Sequence, residues 1–177
     1  MHVLEFIPII PLQIPMAMLT YQIAAINDKT RCVFIETIGN PVLEFTDISA
    51  VAEIAQSHNL PLIVDATFTT PYLFRSIEYG ADIVVNSLTK WMGGHGTGIG
   101  GIVVDAGKFN WRDSKFKLFN EPDPSYHDIR YAHDLGDMNP IAFALRMSKY
   151  RNAVSKRHGE VSRKMWQSLC LMQRIPL

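Results

Sequence analysis

The chain has 177 residues, of which 47% are hydrophobic and 19% are charged, and its formal net charge is zero. This length allows one domain whose core removes roughly 70% of the unfolded chain's surface from water, and it excludes two full-sized domains. The composition excludes an intrinsically disordered protein. With only two cysteines, the chain has no disulfide framework, which favours a reducing compartment, the cytoplasm.

The charges are unevenly distributed along the chain. Residues 1–140 contain 9 Lys or Arg and 16 Asp or Glu, whereas residues 141–177 contain 8 Lys or Arg and one glutamate. A basic tail can bind a nucleic acid or an anionic membrane. A simpler explanation is a solvated helix face that docks on the acidic surface of the same chain. We favour this second explanation and expect neither a nucleic acid nor a membrane as partner.

The first 20 residues are apolar but are interrupted by Pro8, Pro11 and Pro15. A transmembrane helix needs about 20 mostly apolar residues without such interruptions. A signal peptide begins with basic residues, whereas the first charged residue here is Glu5. We therefore expect an extended or irregular segment.

From residue 21 onward the sequence alternates between helical and strand patterns. A short helical pattern at 21–26 precedes a buried strand at 32–35, and a Gly-Asn-Pro turn follows at 39–41. A capped amphipathic helix at 46–59 then leads to a second buried strand at 61–65. Strand, helix and strand in this order predict a parallel βαβ unit with a right-handed crossover.

The pattern then repeats in compressed form. A short helix is predicted at 70–80, a third strand at 82–85 and a fourth at 100–105. These strands are apolar without polar alternation, which is typical of a sheet covered on both faces. The predicted fold class is therefore α/β, with a mostly parallel sheet covered by helices.

We expect three parts along the chain. They are a proline-broken start at 1–22, an α/β core at 23–137 and a basic, largely helical tail at 138–177. Within the core, residues 106–137 are rich in aromatic and polar side chains and contain two prolines. This composition predicts a long surface loop or active-site loop.

Polar side chains follow three of the predicted strands. They are Glu36 and Asn40 after the first strand, Asp65 at the end of the second, and Ser87, Thr89 and Lys90 after the third. Ligands of open parallel sheets bind beyond the carboxyl ends of the strands. An aspartate can keep a pyridine nitrogen protonated, a lysine can form an imine with an aldehyde, and hydroxyls can bind a phosphate. Each residue alone is more often a cap or a solvated charge, but together they have the parts of a pyridoxal phosphate site.

Three other motifs compete with this interpretation. Residues 96–101 fit G-x-G-x-x-G, but a dinucleotide-binding loop follows a strand and opens a helix, whereas this one precedes a strand. Residues 87–90 fit S-x-x-K, but the S-D-N and K-T-G strings of serine acyl enzymes are missing. The six histidines lack metal-ligand spacing, so we expect no metal. Of these histidines, His95 and His127 remain candidate site residues.

Several strings of the sequence resemble one known family. They are ETIGNP at 36–41, VDATFTTPYL at 64–73, ADIVVNSLTKWMGGHGT at 81–97 and GKFNW at 107–111. In this order they resemble the trans-sulfuration pyridoxal phosphate enzymes of cysteine and methionine metabolism. EPDPSYH at 121–127 is similar to the O-acetylhomoserine sulfhydrylase subgroup. The resemblance implies part of the large domain of an aspartate-aminotransferase-like, fold type I enzyme.

The resemblance also implies roles for the strand-end residues. Lys90 would bind the cofactor covalently, Asp65 would pair with its pyridine nitrogen, Ser87 and Thr89 would bind its phosphate, and Asn40 would lie near its phenolic oxygen. The implied reaction is a γ-replacement by a transferase, in which O-acetylhomoserine and sulfide give homocysteine and acetate.

Some features depart from the family pattern. Ala66 stands where an asparagine is usual, and Trp91 stands where a tyrosine or phenylalanine is common. Chains of the family are more than twice as long, and they include a phosphate-binding glycine region, an aromatic residue that stacks on the cofactor, and a small domain. We therefore expect a truncated chain that contains the cofactor-binding core, and a homo-oligomer if complete.

Two alternatives remain open. One is a related cystathionine synthase or γ-lyase, which would use the same cofactor on a different amino-acid substrate. The other is a catalytically inactive fragment that binds a partner through its basic tail.

Overall fold

The computed structural model describes residues 26–41 and 43–149. The chain divides into two compact units, the first ending at Phe109 and the second beginning at Asn110. The expectations for the proline-broken start and for most of the basic tail lie outside the described residues. Within the described part, no helix is long and apolar enough to cross a membrane.

A four-stranded sheet forms the centre of the first unit. Its strands are β1 (Val33–Glu36), β2 (Leu62–Asp65), β3 (Ile83–Ser87) and β4 (Gly101–Asp105), in this order across the sheet. The first three strands are parallel, and β4 runs antiparallel to β3. The predicted mostly parallel sheet is therefore confirmed. The three parallel strands place their carboxyl ends at the same edge.

Helix α1 (Ile48–Ser57) connects β1 to β2. The side chain of Asp47 caps its first turn by accepting a hydrogen bond from the Ala50 N–H at 3.1 Å, which typically contributes about 1 kcal/mol. The buried residues of the helix are Ile48, Val51, Ala52 and Ala55. They pack in one core cluster with the buried side chains of β1, β2 and β3. The predicted capped amphipathic helix is therefore confirmed, although it ends at Ser57, before the predicted end at residue 59.

The segment between β2 and β3 contains two short helical turns, where the sequence predicts one helix. Helix α2 (Thr70–Leu73) ends because Phe74 is extended, with φ −153° and ψ 124°. A 3-10 turn at Ser76–Tyr79 follows and ends at Gly80, whose φ of 101° favours glycine. A Cβ at Gly80 would lie 2.6 Å from the Cβ of Ala52. The turn can therefore pack on α1 only without a side chain at this position.

The second unit has its own aromatic core. Three buried rings pack with the half-buried ring of Phe143; they belong to Trp111, Phe116 and Phe119. Helix α3 (Lys117–Asn120) and helix α4, described over residues 142–149, carry two of these four rings. The predicted surface or active-site loop at 106–137 is wrong for Trp111, Phe116 and Phe119, because burying these rings in a core removes more apolar surface from water.

A buried carboxylate holds α4 to the preceding loop. Oδ2 of Asp123 accepts hydrogen bonds from Arg146 Nη1 at 3.0 Å, Lys149 Nζ at 2.6 Å and the Tyr131 hydroxyl at 3.3 Å. Oδ1 accepts from the backbone N–H and the hydroxyl of Ser125 at 3.1 and 2.6 Å. We call these five residues the Asp123 cluster. Its two cations lie on α4, so the cluster ties this helix to the 123–131 loop.

The Asp123 cluster changes the acidity of its members. Burial alone would raise the pKa of Asp123, but the hydrogen bonds from Lys149 and Ser125, together with the positive charge of Lys149, outweigh burial and hold this pKa well below its ordinary value. Burial, and then the negative charge of Asp123, raise the pKa of Tyr131 to about 12. At neutral pH the cluster therefore contains a charged carboxylate and a protonated phenol.

Candidate active site

The carboxyl ends of β1, β2 and β3 open into a cavity of about 600 Å³. Six of the residues that line it are those predicted from the strand ends: Glu36, Asn40, Asp65, Ser87, Thr89 and Lys90. This volume lies in the range of sites for small molecules and cofactors, about 300–1,000 Å³. The fold thus brings together, in one concave site, side chains that are up to 54 positions apart in the sequence.

Two carboxylates lie side by side at one wall of the cavity. The register of the parallel pair places Glu36 opposite Asp65, so both side chains project from the same face of the sheet. Both residues are half-buried. Oδ1 of Asp65 accepts a hydrogen bond from the Thr67 N–H at 2.8 Å, and the Asp65 carbonyl accepts one from the Thr37 N–H at 3.0 Å. These bonds fix the strand end and the direction of the Asp65 carboxylate.

Lys90 lies in a single π-helical turn, Leu88–Met92, immediately after β3. Its φ of −92° and ψ of −126° are not helical. The side chain is exposed and lines the cavity, and no described residue forms an ion pair with its amine. The amine is therefore accessible to a ligand in the cavity.

Two hydroxyls border the cavity beside the lysine. The Ser87 N–H donates to Oγ1 of Thr67 at 2.8 Å, which fixes the end of β3. Oγ1 of Thr89 accepts from the Gly100 N–H at 3.1 Å, which ties the π-helical turn to the chain just before β4. The hydroxyl of Ser87 makes no hydrogen bond to a described residue. Ser87 thus presents a hydroxyl to the cavity, and Thr89 presents one that also holds the loop.

Thr67 is a lining residue that our sequence analysis missed. Its N–H bonds the Asp65 side chain and its hydroxyl bonds the Ser87 backbone, so it connects the ends of β2 and β3. The Asp-x-Thr spacing is typical of an Asx turn, in which an aspartate accepts from the N–H two residues later. That local signal could have identified Thr67.

Two aromatic residues and two glycines that were not among the predicted site residues also line the cavity. Phe68 and Trp91 line the cavity and meet edge to face, with ring centroids 5.6 Å apart. Gly94 and Gly96 also line it at φ values of 76° and 64°. Residues with side chains rarely adopt these positive φ values, so the glycine-rich loop takes a path that other residues would strain.

Unlike the strand-end residues, the two candidate histidines do not line the cavity. His95 lies between the two lining glycines, is exposed and does not line the cavity. His127 belongs to the second unit, where it is exposed at a φ of 57° with its ring 5.5 Å from that of Tyr126. Their roles stay predictions.

The arrangement has a definite chemical character. The carboxylate pair suits a cationic nitrogen, the exposed amine suits an aldehyde, and the hydroxyls suit an anion such as phosphate. A single small ligand that carries all three groups would match the cavity.

Proteins of similar sequence are named as sulfhydrylases and homocysteine synthases. An O-acetyl-L-homoserine sulfhydrylase from Leptospira meyeri is 51% identical over 127 residues, covering 69% of this chain and 29% of the relative. A homocysteine synthase from Schizosaccharomyces pombe is 46% identical over 132 residues, covering 73% of this chain and 30% of the relative. The chain therefore spans about 30% of the length of these relatives.

Solved structures with the same fold are also similar in sequence. A Campylobacter jejuni protein assigned as an O-acetylhomoserine (thiol)-lyase contains a pyridoxyl-lysine phosphate. It superposes with a TM-score of 0.64 and 31% identity, over 70% of this chain and 31% of that one. The O-acetylhomoserine sulfhydrylase of Wolinella succinogenes gives a TM-score of 0.57 at 31% identity, over 73% and 33% of the two chains.

A family profile matches most of the chain. The profile described as Cys/Met metabolism PLP-dependent enzyme covers residues 9–142. The match includes both the strand-end cavity and the aromatic core of the second unit, and it begins within the proline-broken start. On the length of this match and the identity to its relatives, the chain belongs to the Cys/Met metabolism family of pyridoxal phosphate-dependent enzymes.

Proposed function

We propose that this chain binds pyridoxal 5'-phosphate in the strand-end cavity and carries the cofactor-binding part of an O-acetylhomoserine sulfhydrylase. The observation that carries the proposal is the convergence of Lys90, Asp65 and the hydroxyls of Ser87 and Thr89 on one cavity. The donor set fits the cofactor, because it offers an amine for the aldehyde, a carboxylate for the ring nitrogen and hydroxyls for the phosphate.

Each residue has a defined task in this proposal. Asp65, held by the Thr67 N–H, keeps the ring nitrogen protonated, and Asn40 lies near the phenolic oxygen. Ser87 and Thr89 bind the phosphate. Lys90 would hold the cofactor through its aldehyde group, and its amine would serve as acid and base toward the substrate, a role that typically accelerates a reaction by about two to four powers of ten. When bound, the cofactor withdraws electrons from the substrate's Cα and stabilises the negative charge that forms there.

The proposed reaction converts O-acetylhomoserine and sulfide to homocysteine and acetate. Two features support this reaction over that of a cystathionine synthase or γ-lyase: the names of the similar proteins and the EPDPSYH string at 121–127. Homo-oligomeric assembly and a cytoplasmic location belong to the same proposal. They are supported by the family resemblance and by the low cysteine content.

Covalent trapping tests the cofactor part of the proposal. The 177-residue chain is incubated with pyridoxal 5'-phosphate, reduced with borohydride, digested and mapped by mass spectrometry. We expect the label on Lys90. A Lys90→Ala variant should lose the label, whereas a Lys29→Ala variant, which removes an exposed lysine of the same unit, should keep it. An unlabelled Lys90, or a label spread evenly over surface lysines, would refute cofactor binding at this site.

The substrate part needs a separate assay. The loaded chain is supplied with O-acetylhomoserine and sulfide, and homocysteine is measured, with cystathionine as the alternative substrate. Homocysteine formation that depends on Lys90 supports the sulfhydrylase assignment. Cystathionine cleavage without homocysteine synthesis contradicts it and leaves the cofactor part intact.

A further inference from the structure

The cavity contains one more carboxylate than the roles above require. Glu36 and Asp65 are register partners at the ends of adjacent parallel strands, and both line the cavity. We propose that Glu36 is a positioning residue whose negative charge, beside that of Asp65, strengthens the binding of a protonated ring nitrogen. This inference rests on the proposed cofactor function and deepens it.

The side chain of Glu36 has no hydrogen-bond or ion-pair partner among the described residues. The contact that β1 needs here is made by the backbone, since the Glu36 carbonyl accepts a hydrogen bond from the Thr46 hydroxyl at 2.8 Å. No described residue donates a hydrogen bond to the carboxylate or forms an ion pair with it. By contrast, one Asp65 oxygen is already bonded to the Thr67 N–H. The Glu36 carboxylate is thus a half-buried charge whose field is not neutralised by a direct partner.

The location of the Glu36 carboxylate beside Asp65 determines which ligand groups it can attract. Adjacent strands of a sheet are about 4.8 Å apart, so a cation that contacts Asp65 also lies within reach of the field of Glu36. Half-buried charges at such distances interact more strongly than charges in water. Among the charged residues that line the cavity, two are carboxylates and one is an amine. The carboxylate wall therefore favours a ligand group that carries a positive charge.

A charge-specific ligand pair separates this role from a merely structural one. The ligands are pyridoxal 5'-phosphate and its deaza analogue, in which a C–H group replaces the ring nitrogen. Both keep the aldehyde and the phosphate, but only the first can be protonated on the ring. Dissociation constants are measured by absorbance titration for the 177-residue chain and for Glu36→Gln, which keeps the shape of the side chain and removes its charge.

We expect Glu36→Gln to weaken binding of pyridoxal 5'-phosphate about tenfold, at the lower end of what a nearby opposite charge contributes. Binding of the deaza analogue should stay unchanged. Glu36→Asp, which keeps the charge, should retain the preference for the protonatable ligand even if its absolute affinity falls. Glu53→Gln, an exposed change on α1, should alter neither constant. Circular dichroism shows whether each variant keeps the fold.

Two results would overturn the inference. One is an equal loss of affinity for both ligands, which would show that Glu36 shapes the cavity without acting through charge. The other is unchanged binding of both. If the unaltered chain binds neither ligand, the proposed function itself fails, and this inference fails with it. That outcome is distinct from cofactor binding that is indifferent to Glu36.

Discussion

The strand-end cavity and the Asp123 cluster each contain a carboxylate near lysine and hydroxyl side chains, but they use it in opposite ways. Asp123 is buried and accepts five hydrogen bonds, from two cations, a phenol and both donors of Ser125. Asp65 is half-buried, and the protein supplies one described donor to its carboxylate.

From this difference we infer different roles for the two carboxylates. A carboxylate whose acceptor positions are filled by the protein contributes to stability and has nothing left to offer a ligand. A carboxylate with open acceptor positions, directed into a cavity, costs stability when the cavity holds only water and is compensated when a ligand binds. The comparison therefore predicts that changes in the cluster alter folding and that changes in the cavity alter binding.

The largest effect is expected for Asp123→Asn. This change removes the charge that Asp123 places against Arg146 and Lys149, whose side chains are only 10% and 15% exposed. Breaking such a buried pair costs about 3–5 kcal/mol of unfolding free energy. Urea denaturation followed by circular dichroism measures it.

Glu121→Gln is the matched control, because Glu121 is two residues away and pairs with Lys117 at 3.4 Å, with both side chains more than 60% exposed. That pair should be worth at most about 0.5 kcal/mol. Equal losses of unfolding free energy for Asp123→Asn and Glu121→Gln would show that burial does not increase the contribution of the Asp123 cluster to stability.

In the cavity, Asp65→Asn should change binding more than stability. We expect the affinity for pyridoxal 5'-phosphate to fall about 100-fold, because the protonated ring nitrogen loses its ionic partner. The unfolding free energy should change by less than about 1 kcal/mol, since the Asn side chain can still accept from the Thr67 N–H. Titration and denaturation of the same preparation test both parts. A large loss of stability with unchanged affinity would reverse the comparison.

The cavity was easier to predict from the sequence than the cluster. Each of its strands is a short apolar run that closes on a polar residue, and the carboxyl ends of parallel strands must meet at one edge. Local patterns were therefore enough to bring Asp65, Ser87 and Lys90 together. The antiparallel direction of β4 could not be predicted in this way, because the apolar pattern of a strand does not depend on the direction in which the strand runs.

The cluster could not be predicted because its contacts are distant in sequence. Asp123 meets Arg146 and Lys149 across 23 and 26 residues, and neither partner leaves a local signal. The break after α2 has a similar cause. Phe74 packs edge to face on Phe45, with ring centroids 5.0 Å apart, and this tertiary contact overrides the helical pattern that the sequence predicts at 70–80.

The pH dependence of stability should also test the role of the Asp123 cluster. The pKa of Asp123 is lowered on folding from its ordinary value of 3.8, so the unfolded chain takes up this proton first as the pH falls. The stabilisation is complete above the unfolded pKa and is lost as the pH falls toward the folded one.

We expect the difference in stability between the unaltered chain and Asp123→Asn to stay constant above about pH 5 and to narrow from there down to pH 3. Taking this difference cancels Asp82, whose pKa is raised by burial and whose effect therefore has the opposite sign. It also cancels Asp134, whose pKa is lowered to about 2, mainly by the hydrogen bond from the Arg130 side chain. A constant difference over this range would contradict the assigned role of Asp123.

The smallest effect is expected for Tyr131→Phe. The Tyr131 hydroxyl donates to Asp123 at 3.3 Å, which is longer than the bonds from the two cations, and the same Asp123 oxygen keeps those two donors when the hydroxyl is removed. Since no buried acceptor is left unsatisfied, the loss should be about 1 kcal/mol of unfolding free energy. The ring itself, 5.2 Å from the Arg146 guanidinium, stays in place. A loss as large as that of Asp123→Asn would mean that the phenol, and not the pair of cations, holds the cluster together.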